Sequence, residues 1–298
     1  MSTIELLNTI STQFSVCFGF IILIAGVVGN IFDILVFLSL KTFRENSCAF
    51  YLTAMAFVNI GQLISSLFPR LMNLWFAIDW SVVSLVYCKI RTYFFQVCSL
   101  ISFTCMCLAT IDQFLSTSST PHWQRLSSIK TARRLLIIGI VIWILHGIPT
   151  LIYHNHVISF VTGNYSCAIS NRIFQDYYTY GFVLGLVSCL PVVITAVFSL
   201  LAYHSITKLA YRTVPLVRRE LDKQLTVMVL SQVLFNVCVL VPYIIVNTIN
   251  LGVTIERTSF PYAQLQLARN ITIAWYYLYY AVRIDHCVMK SINELFLF

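Results

Sequence analysis

Charge is what this chain has least of. Only 10% of its 298 residues are Asp, Glu, Lys or Arg, against about 25% in soluble domains, and mean hydropathy is +0.83. The first 40 residues hold no Lys or Arg, so the basic start of a cleavable secretion signal is missing and the first apolar run is expected to act as an uncleaved anchor. There is no Gly-rich phosphate loop and no nucleophile elbow, which removes the common signatures of nucleotide and acyl chemistry. The only close histidine pair, His154 and His156, has no acidic or cysteine companions at metal-site spacing, so no metal, cofactor or enzymatic activity is expected.

Seven apolar runs fill the length instead, roughly Phe14–Leu40, Ala49–Met72, Tyr87–Leu115, Ala132–Tyr153, Tyr177–Tyr203, Gln224–Ile249 and Leu267–Met289. About 20 apolar residues span the hydrocarbon core as a helix, and lipid forces every backbone polar group to pair within its own segment. The expectation is an all-α membrane protein, a single seven-helix bundle over residues 1–298 with no room for a separate soluble domain. The last run is the least clear, since Ile271 to Val282 is followed by Arg283, Asp285 and His286.

Basic residues set the orientation. With the N-terminus outside and the C-terminus cytoplasmic, twelve Lys and Arg fall in inner segments, among them Arg133, Arg134, Arg218, Arg219 and Lys223. Six fall outside: Arg70, Lys89, Arg91, Arg172, Arg257 and Arg269. That asymmetry fits the positive-inside rule, so the net charge of +8 reads as orientation and contact with anionic lipid rather than nucleic-acid binding. In this topology the sequon Asn164-Tyr165-Ser166 lies outside and is a candidate glycan site, whereas Asn270-Ile271-Thr272 is expected to be a chance match.

Most of the ten cysteines lie inside the runs and read as small core residues. Cys88 and Cys167 stand apart at the outer side, where a disulfide would persist and pin the loop over the bundle mouth; two unpaired thiols are the alternative.

Several residues then share a pattern. Gly29-Asn30 in run one, the segment Thr53 to Asn59 in run two, the 24-residue spacing from Cys88 to Asp112, Trp143, Pro191 and Pro242-Tyr243 together resemble the rhodopsin-like (class A) G-protein-coupled receptors across all seven runs. The resemblance implies a plasma-membrane receptor that passes an extracellular signal to a cytoplasmic transducer. Pro191 and Pro242 would be helix kinks that also bend during activation. A polar core would gather Asn30, Asp33, Asn59, Ser102 and Arg283. Asn59 stands where the family keeps a carboxylate, and Asp33 could supply it or pair with Arg283. Three departures bear on switching: Asp112-Gln113-Phe114 replaces Asp-Arg-Tyr, Leu240 replaces the sixth-helix tryptophan, and no Asn-Pro-x-x-Tyr follows Tyr279-Tyr280. Asp112, Gln113, Arg133, Arg134, Arg218, Arg219 and Lys223 are the expected transducer face, with a heterotrimeric G protein as the implied partner. Topological anchoring explains the basic ones equally well.

The expected ligand pocket comprises Arg91, Phe95, Gln96, Ser99, Tyr243, Asn247, Trp275 and Tyr276. Phe95 occupies the position of the amine-pairing Asp of aminergic receptors, and run seven has no outer Lys for retinal. The remaining likeness is to neuropeptide receptors, hence an expected peptide ligand. Two rivals are weighed: a receptor-like binder that activates no G protein, and a channel or transporter, which would show repeated halves or rows of polar residues.

Overall fold

The computed structural model describes residues 3–39, 41–118, 120–158, 165–209, 216–252 and 260–282. Seven long helical stretches dominate: α1 (Thr3–Ser39), α2 (Ser47–Phe76), α3 (Leu85–Thr117), α4 (Ile129–Tyr153), α5 (Arg172–Asp176 continuing through Tyr177–Cys189 and Leu190–Leu209), α6 (Leu216–Gly252) and α7 (Phe260–Ala281). Within the described residues, six of these are long and apolar enough to cross a membrane, and the described part of α7 is not among them. Gln264, Gln266, Arg269 and Asn270 dilute its first half.

The helices outrun the apolar stretches that announce them. α1 begins at Thr3 rather than Phe14, α6 at Leu216 rather than Gln224, and α7 at Phe260 rather than Leu267. Once a helix is nucleated each added turn costs little, so polar turns continue where hydropathy has already fallen. The end expected for run seven, Met289, lies outside the described residues. Starts are set by caps: Asn46 accepts from Cys48 N and Ala49 N before α2, Ser84 from Tyr87 N before α3, Ser128 from Thr131 N before α4, and Asn171 from Phe174 N before α5. Each satisfies donors that a first helical turn leaves free.

Two helices contain wide, π-type turns, Leu63–Leu67 in α2 and Tyr177–Cys189 in α5. Each is followed two residues later by a proline, Pro69 and Pro191. Proline supplies no N–H to the carbonyl one turn back, and the widened turn gives other donors access: Leu190 N–H reaches Gly185 O, and Ser188 Oγ donates to Val183 O at 2.7 Å. Pro191 thus marks the return from π to α geometry, while Pro242 lies inside α6.

α3 runs through the middle, packed against α2, α4, α5 and α6; α1 packs on α2 and α7, and α6 on α5 and α7, closing the ring. Met55, Leu63, Leu100, Met106, Phe182, Leu240, Tyr279 and Tyr280 are fully buried at its centre. Ile24, Leu35, Ile137, Leu145, Val193, Leu200 and Leu234 face outward and exposed, as a bundle solvated by lipid requires. α1 comes close to α7 and α2 at Gly26, where an added Cβ would stand 2.7 Å from both Ala281 Cβ and Leu63 Cδ1. One turn on, Asn30 Nδ2 donates to Gly26 O at 2.7 Å and across to Tyr280 O at 2.9 Å, tying α1 to α7.

The one departure from all-α architecture among the described residues is an antiparallel hairpin between α4 and α5, β1 (His154–Ile158) with β2 (Tyr165–Ile169), His156 facing Cys167.

Candidate functional site

Cys88, in the first turn of α3, is joined by a disulfide to Cys167 of β2, with Cα atoms 5.8 Å apart. The bridge draws the hairpin across one end of the bundle and closes a cavity of about 370 Å³ beneath it. α3 contributes Arg91, Thr92 and Phe95, α2 contributes Ser66, α7 contributes Tyr277, and the hairpin contributes Cys167. Ser66 and Tyr277 share a hydrogen bond of 2.6 Å. Asp79, which caps the short turn Trp80–Val83, also borders the space; its carboxylate accepts from Asn73 Nδ2, Ser81 N and Ser81 Oγ. His156 bonds Ser81 O at 2.8 Å, a second tie from hairpin to rim. The partner histidine, His154, is buried at the hairpin base against Phe174 and Tyr178, with Nδ1 3.1 Å from Thr150 O. Burial lowers its pKa, the nearby Lys89 lowers it further, and the Thr150 carbonyl partly offsets both.

The expected pocket residues divide. Arg91 and Phe95 line the cavity. Tyr276 lies in the core below, stacked on Tyr243 at 4.7 Å and hydrogen-bonded to Ser99 at 3.2 Å. Asn247 is on α6 with its Nδ2 buried and unpartnered. Two residues need correction. Trp275 is 41% exposed on the outside of the bundle. At 100° per residue the face of α7 turned to the cavity is that of Tyr277, two positions on. Gln96 is turned toward α4, where it bonds His146 Nδ1 at 3.2 Å and accepts from Thr150 Oγ1. It locks α3 to α4, beside Trp143 Nε1, which donates to Thr104 Oγ1 at 2.8 Å. Asn270 makes contacts inside the fold, accepting from Arg70 at 2.9 Å and donating to Ser11 Oγ at 2.8 Å.

Beneath the cavity a polar network crosses the bundle. Gln62 Nε2 donates to Ser99 Oγ at 3.0 Å, Tyr280 OH to the same oxygen at 3.2 Å, and Tyr276 and Tyr280 share a bond of 2.7 Å. One turn further, Ser102 Oγ donates to Asn59 Oδ1 at 2.6 Å and lies 3.4 Å from Tyr279 OH. Asp33 is buried at 5% exposure. No hydrogen bond joins it to Asn59 Nδ2. Arg283, the other expected partner of Asp33, lies outside the described residues.

At the opposite end, Asp112 Oδ2 accepts from Ser47 Oγ at 2.6 Å, and Ser47 Oγ is 3.2 Å from Ser127 Oγ. Ser47 is the first residue of α2 and Ser127 stands just before α4, so the carboxylate clips three elements together. Gln113 is 1% exposed. Arg133 and Arg134 are exposed in the second turn of α4. Arg218, Arg219 and Lys223 lie in the first turns of α6, and Asn164 lies outside the described residues. Sequence reasoning missed Ser66, Tyr277, Ser47 and Ser127. The one available signal was the cap pattern Asn46-Ser47, which fixes where α2 starts and hence which side chain meets Asp112.

The family model described as 7 transmembrane receptor (rhodopsin family) matches residues 29–284, which takes in part of α1 and everything through α7. No curated protein matches the chain.

Proposed function

Because the chain belongs to the rhodopsin family of seven-transmembrane receptors, it is a multi-pass membrane protein of the G-protein-coupled receptor class, and we propose that it takes an extracellular peptide-like ligand in the disulfide-closed cavity. The observation that supports this reading is that cavity itself. It is roofed by the Cys88–Cys167 hairpin, lined by Phe95, whose ring packs on Tyr276, and in contact through Tyr277 and Phe95 with two helices of the central network. Ligand sites of this kind are concave and oriented by a few polar groups.

In this reading the N-terminus is outside and the Asp112 end faces the cytoplasm. A ligand that prefers one arrangement of α3, α6 and α7 shifts the bundle toward it. The change is read at the other end by a heterotrimeric G protein against Asp112, Gln113, Arg133 and Arg134, with Arg218, Arg219 and Lys223 on α6. No catalytic role is assigned to any residue. A second reading, ligand binding without G-protein activation, draws on Gln113: it lacks the guanidinium charge that arginine presents to a transducer.

The test is a peptide-library screen with second-messenger readouts in cells expressing the chain, run beside a Phe95→Ala variant. A response that Phe95→Ala weakens supports the receptor reading. Ligand capture with no second-messenger change supports the second. Responses untouched by Phe95→Ala would move the ligand site elsewhere.

A further inference from the structure

Three arginines, one of them in the cavity wall, lie within electrostatic reach of one another at its end of the bundle. Arg91 lines it from α3. Arg70 is four residues after Ser66 on α2, and Arg269 is eight residues before Tyr277 on α7. Four residues keep Arg70 on the Ser66 side of α2, and eight place Arg269 about 80° around α7 from Tyr277, both toward the disulfide end of the cavity. The three are close enough to act on one another: Arg70 is repelled by Arg269 and by Arg91, and it lies within electrostatic reach of Tyr243 and Tyr277. Arg269 and Arg70 both act on Tyr243.

Among the described residues no carboxylate makes a hydrogen bond to any of the three. Arg70 gives a hydrogen bond to the neutral amide of Asn270, and Arg269 Nε is buried with no partner. The one described carboxylate bordering the cavity, Asp79, is occupied by Asn73 and Ser81. Like charges gathered where water is partly excluded repel more strongly than in solution. An unpaired guanidinium in such a place carries a desolvation cost that only an anion with matching hydrogen bonds offsets.

We infer that the cavity binds the anionic end of its ligand, a carboxylate or phosphate group held between Arg91, Arg70 and Arg269. The planar donor fork of arginine fits the paired oxygens of either group. Phe95 offers the adjoining body of the ligand an apolar wall, and a cavity of about 370 Å³ is near the lower end of small-ligand sites. It therefore takes a terminus, such as a peptide carboxylate with its last side chain, rather than a folded chain. This inference rests on the receptor reading for its biological sense but not for its measurement.

The full chain in lipid nanodiscs is melted with N-acetylphenylalanine, with its uncharged amide, and with phenyl phosphate, all at matched ionic strength. The anion should raise the melting temperature where the amide does not, and the two anions distinguish carboxylate from phosphate. Arg91→Gln and Arg269→Gln should weaken anion affinity by about thirtyfold or more, and Arg91→Lys, which keeps the charge, should weaken it less. If a Gln variant does not fold, the Lys variants carry the comparison, with a reduced shift expected. Equal stabilisation by the amide, a shift unchanged in the arginine variants, or no shift with either anion overturns the inference. Arginine-dependent anion binding in a chain that gives no second-messenger response would sustain the anion site and remove the signalling reading. A neutral agonist indifferent to the arginine variants would do the opposite.

Discussion

At Asp112 the chain replaces an ion pair with hydroxyls. The carboxylate is held by Ser47 at 2.6 Å, with Ser127 behind it, so its charge is stabilised by donors on two other segments rather than by a neighbour on its own helix. Ser47→Ala should destabilise the bundle by about 1.5–3 kcal/mol, the range for a hydrogen bond to a charged group, and should loosen α2 from α3. A thermal-unfolding midpoint indistinguishable from wild type would show that Ser127 alone suffices. Gly26 makes a second prediction at this scale. A valine there meets Ala281 and Leu63 inside 3 Å and pushes α1 off α7, breaking the Asn30 to Tyr280 bond. Overpacking of this kind costs about 1–3 kcal/mol, so Gly26→Val should lower the melting temperature and the amount reaching the surface, while Gly29→Ala, whose Cβ would meet only Ala281 O at 3.7 Å, should not. Asn30 was legible in the sequence as an interhelical donor, and the family resemblance put Ser102 and Asn59 in one polar core. Aim was not. Trp275 and Tyr277 differ by two positions and nearly opposite directions, and nothing local says which one faces in.

Among the elements, the hairpin of β1 and β2 is the least helical piece and the one on which the site depends. Its existence was not visible, because five-residue strands leave too short an alternation to separate from a loop, whereas the helices announce themselves by long apolar runs. Even there only the middles were legible; the ends follow Asn46, Ser84, Ser128 and Asn171, whose caps act independently of hydropathy. Cys167→Ser should release the hairpin. Loss of a native disulfide typically costs about 2–5 kcal/mol, and the expected outcome is reduced surface delivery and loss of ligand binding together, by surface labelling and saturation binding. His154 adds a pH dependence. The folded chain favours its neutral imidazole, while the unfolded chain takes up a proton near the ordinary histidine value of about 6.5. Its contribution is therefore fully present above that value and is lost as pH falls through it toward the depressed folded value. Melting at pH 7.5 and pH 5.5 should show acid destabilisation that His154→Gln reduces; an equal acid shift in the variant would assign the effect to other groups.

For the whole molecule the question is whether a ligand at the disulfide end can be felt at the Asp112 end. The path is short in residues: Phe95 and Tyr277 at the cavity, Ser99 with Tyr276 and Tyr280 below it, Ser102 with Asn59, and then Asp112 ten residues further along α3. Contiguity alone does not demonstrate coupling; a two-state element biased from both ends would. The Asp112 clip is the available one, since it gathers Ser47 and Ser127 from two other segments at one carboxylate. Gln113→Arg tests it. The position is 1% exposed, so the new guanidinium must find a counter-charge, and the adjacent Asp112 is the nearest candidate in sequence. An ion pair between Asp112 and the introduced guanidinium would compete with the serine clip and install a charged latch, lowering ligand-independent second-messenger output. In the double variant with Ser47→Ala the two effects should fail to add, because both act on one carboxylate. Additive effects would separate the clip from the latch. If wild type and Gln113→Arg both reach the surface and neither yields a response to any ligand in a broad screen, the clip is purely structural and the chain is a binder rather than a transducer.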